Sequence, residues 1–281
     1  MKYWIWLTKI KINPYTKYKL LMKYILPEII YYLTKEDLQK ECIDKDKIKE
    51  ILDDIYKQNL DLEEKYLKRN NIKLITIYDE EYPENLRNIY DPPIAIYLYG
   101  NDKIFSTYAV GMVGCRNCSI YGEMQAKEIS YKLAKNNIVV VSGLAKGIDK
   151  HSHVGCMAGH GKTVAVLGCG INIIYPKENI EVARKIIETS GAIISEYPIG
   201  SKPEKDNFPQ RNRIISGISD AVIVVEAKIK SGSIITADFA MEQGKDVYAV
   251  PGNVTSKNSE GTNDLIKQGA IPLTNIQDIT L

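Results

Sequence analysis

No apolar run in this chain comes near the roughly 20 residues that a membrane-spanning helix needs; Ala221–Val225 represents its longer ones. Cysteine is scarce and odd in number, five in 281 residues, which excludes a disulfide framework. Cys115-Arg-Asn-Cys118 is a C-x-x-C, but the second pair that a structural zinc requires is missing, so no metal is expected. The three histidines, 151, 153 and 160, share one stretch without a ligand-spaced carboxylate and are expected on a helix surface. Excess charge is also lacking: 37 Lys and Arg against 35 Asp and Glu leave +2. That excludes a surface uniformly attractive to polyanions and leaves room for a local basic groove. The apolar stretch in Met1–Leu7 is too short for a secretory leader and no small-residue cleavage site follows, so a reduced, cytoplasmic protein is expected.

Glycine is absent from residues 1–69, which are rich in Lys, Leu, Ile, Tyr and Glu. Leu20, Leu21, Tyr24, Ile25 and then Ile29, Ile30, Leu33 recur at helical spacing on either side of Pro27. Thr34-Lys-Glu-Asp37 has the form of a capping box. Lys47–Leu67 predicts one further helix with Ile48, Ile51, Leu52, Ile55 and Leu62 as its buried stripe. These features predict a small helical domain over 1–69, followed by a second domain over 70–281.

Two short strands, 72–77 and 94–99, are expected next, and from about residue 105 strand, turn and helix alternate. The strands are read at 109–113, 138–141, 163–167, 192–195, 221–225 and 246–250, with helices at 122–136, 149–159, 178–190, 210–218, 233–243 and 261–268. Near-continuous Val/Ile/Ala strands signal a sheet covered on both faces. The fold class is therefore α/β: an extended, Rossmann-like, doubly wound, mostly parallel sheet preceded by the helical domain.

In such a sheet ligands bind beyond the carboxyl ends of the strands. Three of those turns combine Gly or Ser with a cation: Gly114–Gly122 with Arg116, Ser142–Asp149 with Lys146, and Glu226–Ser233 with Lys228. They suggest a phosphate-binding rim, although every α/β fold needs small residues at tight turns. Gly168-Cys-Gly170 lacks the rest of a dinucleotide fingerprint, and Gly161-Lys162-Thr163 lacks both the leading glycine and the following helix of a P-loop. Lys202–Gly217 is the most informative stretch, holding Lys202, Lys205, Asn207, Phe208, Arg211 and Arg213. Cations suit backbone phosphates and a ring suits a splayed base, the alternative being a solvated charged loop anchored by Phe208. No spacing pairs Asp149, Glu196 or Glu226 into general acid and base, and Ser231-Gly-Ser233 lacks a nucleophile elbow, so no catalytic residues and no cofactor are expected.

Val113–Gly122, Ser142–Asp149, Phe208–Gly217, Glu226-Ala227, Ser231–Ala237, Ala249–Gly252 and Gly261–Gly269 together resemble the DprA/Smf family of DNA-processing proteins, in the right order across about residues 71–275. The resemblance implies a homodimeric single-stranded-DNA-binding protein that protects incoming DNA during natural transformation and loads the RecA recombinase. By motif match, Arg116 and Ser119 would hold phosphate, beside Gly114, Ser142, Gly143 and Lys146. Lys205 would contact DNA, Phe208 would stack on a base, and Arg211 and Arg213 would flank the groove together with Asn207 and Asn212. Two departures stand out. Ile12–Thr16 lacks the glycines of the family's N-terminal hairpin, which argues against a direct DNA role for 1–69, and no winged-helix module is expected beyond Leu281. The alternative is a nucleotide-processing enzyme or sensor of the lysine-decarboxylase-like phosphoribohydrolase type, whose P-G-G-x-G-T-x-x-E motif is not preserved at Pro251–Thr255.

Overall fold

The computed structural model describes residues 1–41 and 43–279. Among the described residues six helices open the chain: α1 Lys2–Lys9, α2 Pro14–Tyr24, α3 Pro27–Tyr31, α4 Lys35–Lys40, α5 Lys45–Leu52 and α6 Leu60–Arg69. Local chemistry sets their ends. Asn13 accepts the Thr16 N–H at 2.7 Å ahead of Pro14, whose fixed φ suits the first helical position. The Thr34–Asp37 capping box forms in both directions, with bonds of 3.1 and 3.3 Å.

The single helix expected over 47–67 is broken. Asp53 accepts the Ile55 N–H and opens a 3₁₀ turn over Asp54–Lys57, and Asn59 takes a left-handed φ of 61° before α6 begins. The broken register turns Ile55 and Leu62 to solvent, while Leu60 and Leu67 join Ile48 and Ile51 inside. The first residues also fold more firmly than their composition suggests, because α1 places Ile5, Trp6 and Leu7 wholly inside the core.

The remaining elements are β1 Ile72–Thr76, α7 Glu84–Arg87, β2 Ala95–Gly100, β3 Ala109–Val113, α8 Ile120–Lys135, β4 Val139–Ser142, α9 Ile148–Ala158, β5 Thr163–Val166, α10 Ile180–Glu188, β6 Ala192–Ser195, α11 Asn207–Ile218, β7 Ala221–Val224, α12 Gly232–Glu242, β8 Asp246–Ala249, α13 Glu260–Lys267 and β9 Ile271–Pro272. They build one nine-stranded sheet in the order β1-β2-β6-β5-β4-β3-β7-β8-β9. β1 and β2 run antiparallel to their neighbours and all other pairs are parallel. β3 through β7 are buried along their full length, as strands covered on both faces require. Among the described residues no helix is long and apolar enough to cross a membrane.

The helical segment shares its core with the sheet. Trp6 and Leu21 belong to one apolar cluster with Tyr97 and Leu98 of β2, and the Thr8 and Tyr97 hydroxyls meet at 2.8 Å inside it. A second apolar cluster lies around Met112, Leu133, Ile223 and Tyr248.

Candidate nucleic-acid interface

The chain winds from β3 to β4, β5 and β6 on one side, then returns to β7 and β8 on the other, so the strand order reverses at β3. The loops at the carboxyl ends of the parallel strands meet on one edge there. The loop after β3 carries Arg116, the loop after β5 carries Tyr175, and α11 begins with Asn207 and Phe208.

These three loops converge on the Phe208 ring. The exposed Arg116 guanidinium lies 5.5 Å from its centroid, and the Tyr175 ring lies 5.7 Å away at a tilt of 41°. A Cβ on Gly168 would approach Phe208 Cδ1 to 2.9 Å, and one on Gly170 would come within 2.6 Å of the Pro198 carbonyl oxygen. The broken Gly-x-Gly thus seats the ring and the loop after β6 rather than a dinucleotide. Tyr197 donates to the Asn207 carbonyl at 3.2 Å and steadies the first turn of α11. The ring itself stays half-buried, with a cation on one side and a second aromatic on another. Sequence reasoning missed Tyr175, whose signal was an aromatic placed directly before Pro176 in a strand-end loop.

The expected phosphate cradles are filled from within. Glu226, 1% exposed, accepts the Ser119 N–H at 2.8 Å and the Ser119 hydroxyl at 2.5 Å. Ser119 Oγ also accepts the Gly122 N–H at 3.1 Å, as the N-cap of α8. The first turn of α8 therefore already holds an anion, and a Cβ on Gly122 would strike that carboxylate at 2.2 Å. Gly114 is confined in the same corner, between Ile148 and the Glu226 carbonyl. In the loop before α9 a carboxylate again takes backbone amides: Asp149, from the first turn of that helix, accepts the Gly143 N–H at 3.1 Å and the Ala145 N–H at 3.4 Å. Burial pushes the Asp149 carboxyl above its usual range, opposed by Arg211 and by those two amides. Ser142 is buried and donates to the Met112 carbonyl at 2.6 Å. Ser119, expected to hold phosphate, and Ser142 and Gly143, expected beside it, thus each make an internal bond.

Arg211 and Arg213 are both buried and spend their guanidinium groups on internal partners. Arg211 is 4% exposed and donates to the Gly143 carbonyl at 2.7 Å and to the Val166 carbonyl, so it fastens α11 to the ends of β4 and β5. Arg213 is 2% exposed and bonds Asp91 at 2.9 Å and Glu196 at 2.6 Å. Burial opposes its charge, but the two carboxylates hold the guanidinium above its ordinary pKa. Asn212 is nearly buried and donates to the Gly232 carbonyl at 3.0 Å. A helix whose first turn, through Gln210, stays at the surface and which is buried from Arg211 onward explains why one motif splits into two roles.

Exposed cations in the loops of this edge include Arg116, Lys146, Lys177, Lys202, Lys205, Lys228 and Lys230. Lys146 pairs with Glu178 at 2.5 Å, a solvent-exposed and therefore weak contact that a phosphate can displace. Among the described residues no three His, Cys, Asp or Glu side chains are grouped to hold a metal ion. Burial raises the pKa of both Cys115 and Cys118 thiols. His153, expected on a helix surface, is instead fully buried with Nδ1 2.7 Å from the Thr163 hydroxyl.

Residues 73–281 match the family described as DNA recombination-mediator protein A. DNA processing protein DprA of Streptococcus pneumoniae is 42% identical over 204 residues, which span 73% of this chain and 72% of the relative. The crystal structure of that pneumococcal protein superimposes with a TM-score of 0.72 at 34% identity, covering 95% of this chain and 97% of its own. The Helicobacter pylori DNA processing protein A, solved for its single-stranded-DNA binding mode, superimposes with a TM-score of 0.67 at 32% identity, over 74% of this chain and 93% of its own. By sequence and by fold, this chain belongs to the DprA/Smf family of DNA-processing proteins.

Proposed function

We infer that the chain binds single-stranded DNA across the carboxyl edge of its parallel sheet, holding a base on Phe208 and phosphates on exposed side-chain cations. One observation carries the reading: Arg116 stands 5.5 Å from the centroid of a half-exposed Phe208 ring whose other neighbour is Tyr175. An aromatic face beside a cation is the pairing that single strands use, because every base has a π-face and every linkage a charge. The filled helix termini point the same way. A small nucleotide sensor or phosphoribohydrolase would need open amides ahead of α8 and in the loop after β4, and there Glu226 takes the Ser119 N–H and Asp149 the Gly143 and Ala145 N–H groups. Glu226, buried and bonded by Ser119, is likewise not placed to act as a catalytic acid or base.

The contacts proposed are Arg116, Lys146, Lys205 and Phe208, with Asn207 at the start of α11; Gly114, Ser119, Ser142, Gly143, Arg211, Asn212 and Arg213 shape and hold the edge. The proposed setting is cytoplasmic, as a homodimer that protects single strands and loads RecA. The family's description as a recombination mediator supports this, and light scattering would test the dimer. The binding test is fluorescence anisotropy of labelled oligo-dT over a salt series. Engaging about three to six phosphates gives a log–log slope of about −2 to −4, at roughly 0.7 per phosphate. Phe208→Ala should weaken binding by about 1–3 kcal/mol, or roughly five- to 150-fold, with the fold intact. Salt-independent binding, an unaffected Phe208→Ala variant, or release of free base from nucleoside monophosphates would overturn the reading.

A further inference from the structure

Beside the aromatic platform lies a cleft of about 580 Å³ between the helical segment and the sheet. One wall comes from Lys11, Ile12 and Lys17, the other from Tyr197, Lys202 and Gln210, and Asn207, the neighbour of Phe208 in α11, lines it too. The first turn of α11 thus contributes to both the cleft and the proposed base platform.

Its charges sort by depth. At the floor Glu196 accepts the buried Arg213 at 2.6 Å, Asp91 takes that guanidinium's other bond, and Lys17 donates to the Thr8 carbonyl at 2.7 Å. Burial brings the Lys17 ammonium down to about 8, partly offset by Glu196, so this floor is a balanced internal network. Lys9 is likewise spoken for, by Glu63 at 2.5 Å. At the mouth the balance tips. Lys11 and Lys202 are exposed and form no ion pair among the described residues, and both line the cleft, one from the helical segment and one from the loop after β6, with Glu204 as the one exposed carboxylate lining it. Ile12, Pro14 and Pro93 give the walls apolar surface, and Asn13, Asn207 and Gln210 give them amides. Cations at the rim, apolar walls and amide edges are what a nucleotide chain needs: phosphates outside, bases within.

We propose that the DNA strand leaving the Phe208 platform enters this cleft, so that the helical segment supplies part of the single-strand binding surface, with Lys11 and Lys202 each meeting a phosphate. The proposal rests on the single-stranded-DNA reading and reverses the expectation that residues 1–69 stay clear of DNA. A glycine-rich hairpin is not required, since Lys11 reaches the strand from an ordinary turn between α1 and α2.

The test compares oligo-dT of about six nucleotides, filling the platform alone, with oligo-dT of about twenty, long enough to run on. Lys11→Glu/Lys202→Glu should leave the short oligomer's affinity within twofold, weaken the long one at least tenfold, and reduce its salt slope by about 1.4, at roughly 0.7 for each of two lost phosphates. Lys40→Glu/Lys267→Glu, an equal charge change at residues outside the cleft, should leave both nearly unchanged. If Phe208→Ala weakens both oligomers while the cleft variant weakens neither, the platform stands and the cleft proposal falls. Equal loss from the control pair, or from the cleft variant on the short oligomer, also overturns it. If Phe208→Ala is silent the platform reading itself falls, and a cleft effect seen then would refute the continuous path.

Discussion

Arg213 and Arg116 look interchangeable in sequence, two arginines in basic, glycine-bearing stretches, yet their surroundings set opposite roles. Removing Arg213 leaves Asp91 and Glu196 without their counter-charge, and Glu196 is one-tenth exposed. Breaking a buried pair in this way costs about 3–5 kcal/mol. Arg213→Met should therefore lower the urea midpoint strongly, whereas Arg116→Ala should shift stability by no more than about 0.5 kcal/mol, the usual size for a surface change. Oligo-dT affinity should respond in the reverse order. An Arg213→Met protein of native stability that had lost DNA affinity would return Arg213 to the binding surface.

His153 carries a second prediction at this scale. Thr163 Oγ1 donates to the Val140 carbonyl at 2.7 Å, so its oxygen accepts from His153 Nδ1–H, and Nε2 is left buried without a partner. Burial, helped by the nearby Arg211 charge, lowers the imidazole to about 3. The unfolded chain takes up this proton near pH 6.5 and the folded chain does not. Stability should thus be intact above about pH 6.5 and fall by on the order of 1 kcal/mol per unit as the pH drops toward 3. Urea titrations at stepped pH should show this slope, and His153→Asn, which keeps a donor near Nδ1, should flatten it. An equal slope in that variant would assign the acid sensitivity to another group.

Among the elements, α11 is the one that positions the platform, and it is held at both ends by cations rather than by caps of its own. Arg211 fastens its N-terminal half to the ends of β4 and β5, while Lys245 donates to the Ser216, Gly217 and Ser219 carbonyls at its C-terminal end. Those carbonyls lie where a helix leaves its acceptors unpaired and its dipole favours positive charge. Lys245→Met keeps the stem and removes the bonds, and should cost about 1–3 kcal/mol in denaturant while changing oligo-dT affinity by less than tenfold. A neutral effect on stability would show that water replaces the ammonium without loss.

The same element shows where sequence was legible. The six strands from 109 to 250 were recoverable within a residue or two, because a strand buried on both faces must be apolar throughout. The break between α5 and α6 was not, since it depends on Asn59 adopting a left-handed φ of 61°, which helical spacing of Ile55 and Leu62 conceals. The two-residue β9 was too short to carry a pattern. For the site, residue type located the edge but could not orient side chains. Phe208, Arg211 and Arg213 lie within six positions of one helix, and it is depth along α11 that separates them: the first turn sits at the rim, while every residue from Arg211 to Ile218 is buried.

For the whole molecule, the near-neutral charge of +2 turns out to conceal an edge where Glu226 and Asp149 are used internally while Arg116, Lys146 and Lys205 remain outside. It also conceals how the helical segment and the sheet are joined. Trp6, Leu21 and Ile51 pack in the same apolar cluster as Tyr97 and Ile194, and the Thr8–Tyr97 hydroxyl pair closes it. Both tryptophans of the chain, Trp4 and Trp6, lie in α1. Tryptophan fluorescence therefore reports the helical segment, while far-ultraviolet circular dichroism reports every helix. A shared core requires the two to melt together, so their urea transitions should coincide. Trp6→Phe should lower both midpoints equally, because a void left at α1 is felt by β2 across the cluster. A fluorescence transition that precedes the dichroism would mean that the helical segment unfolds from a sheet that stands without it. In that event the cleft between them would open before the fold is lost, and long oligo-dT should lose affinity at the lower midpoint while short oligo-dT keeps it to the higher one.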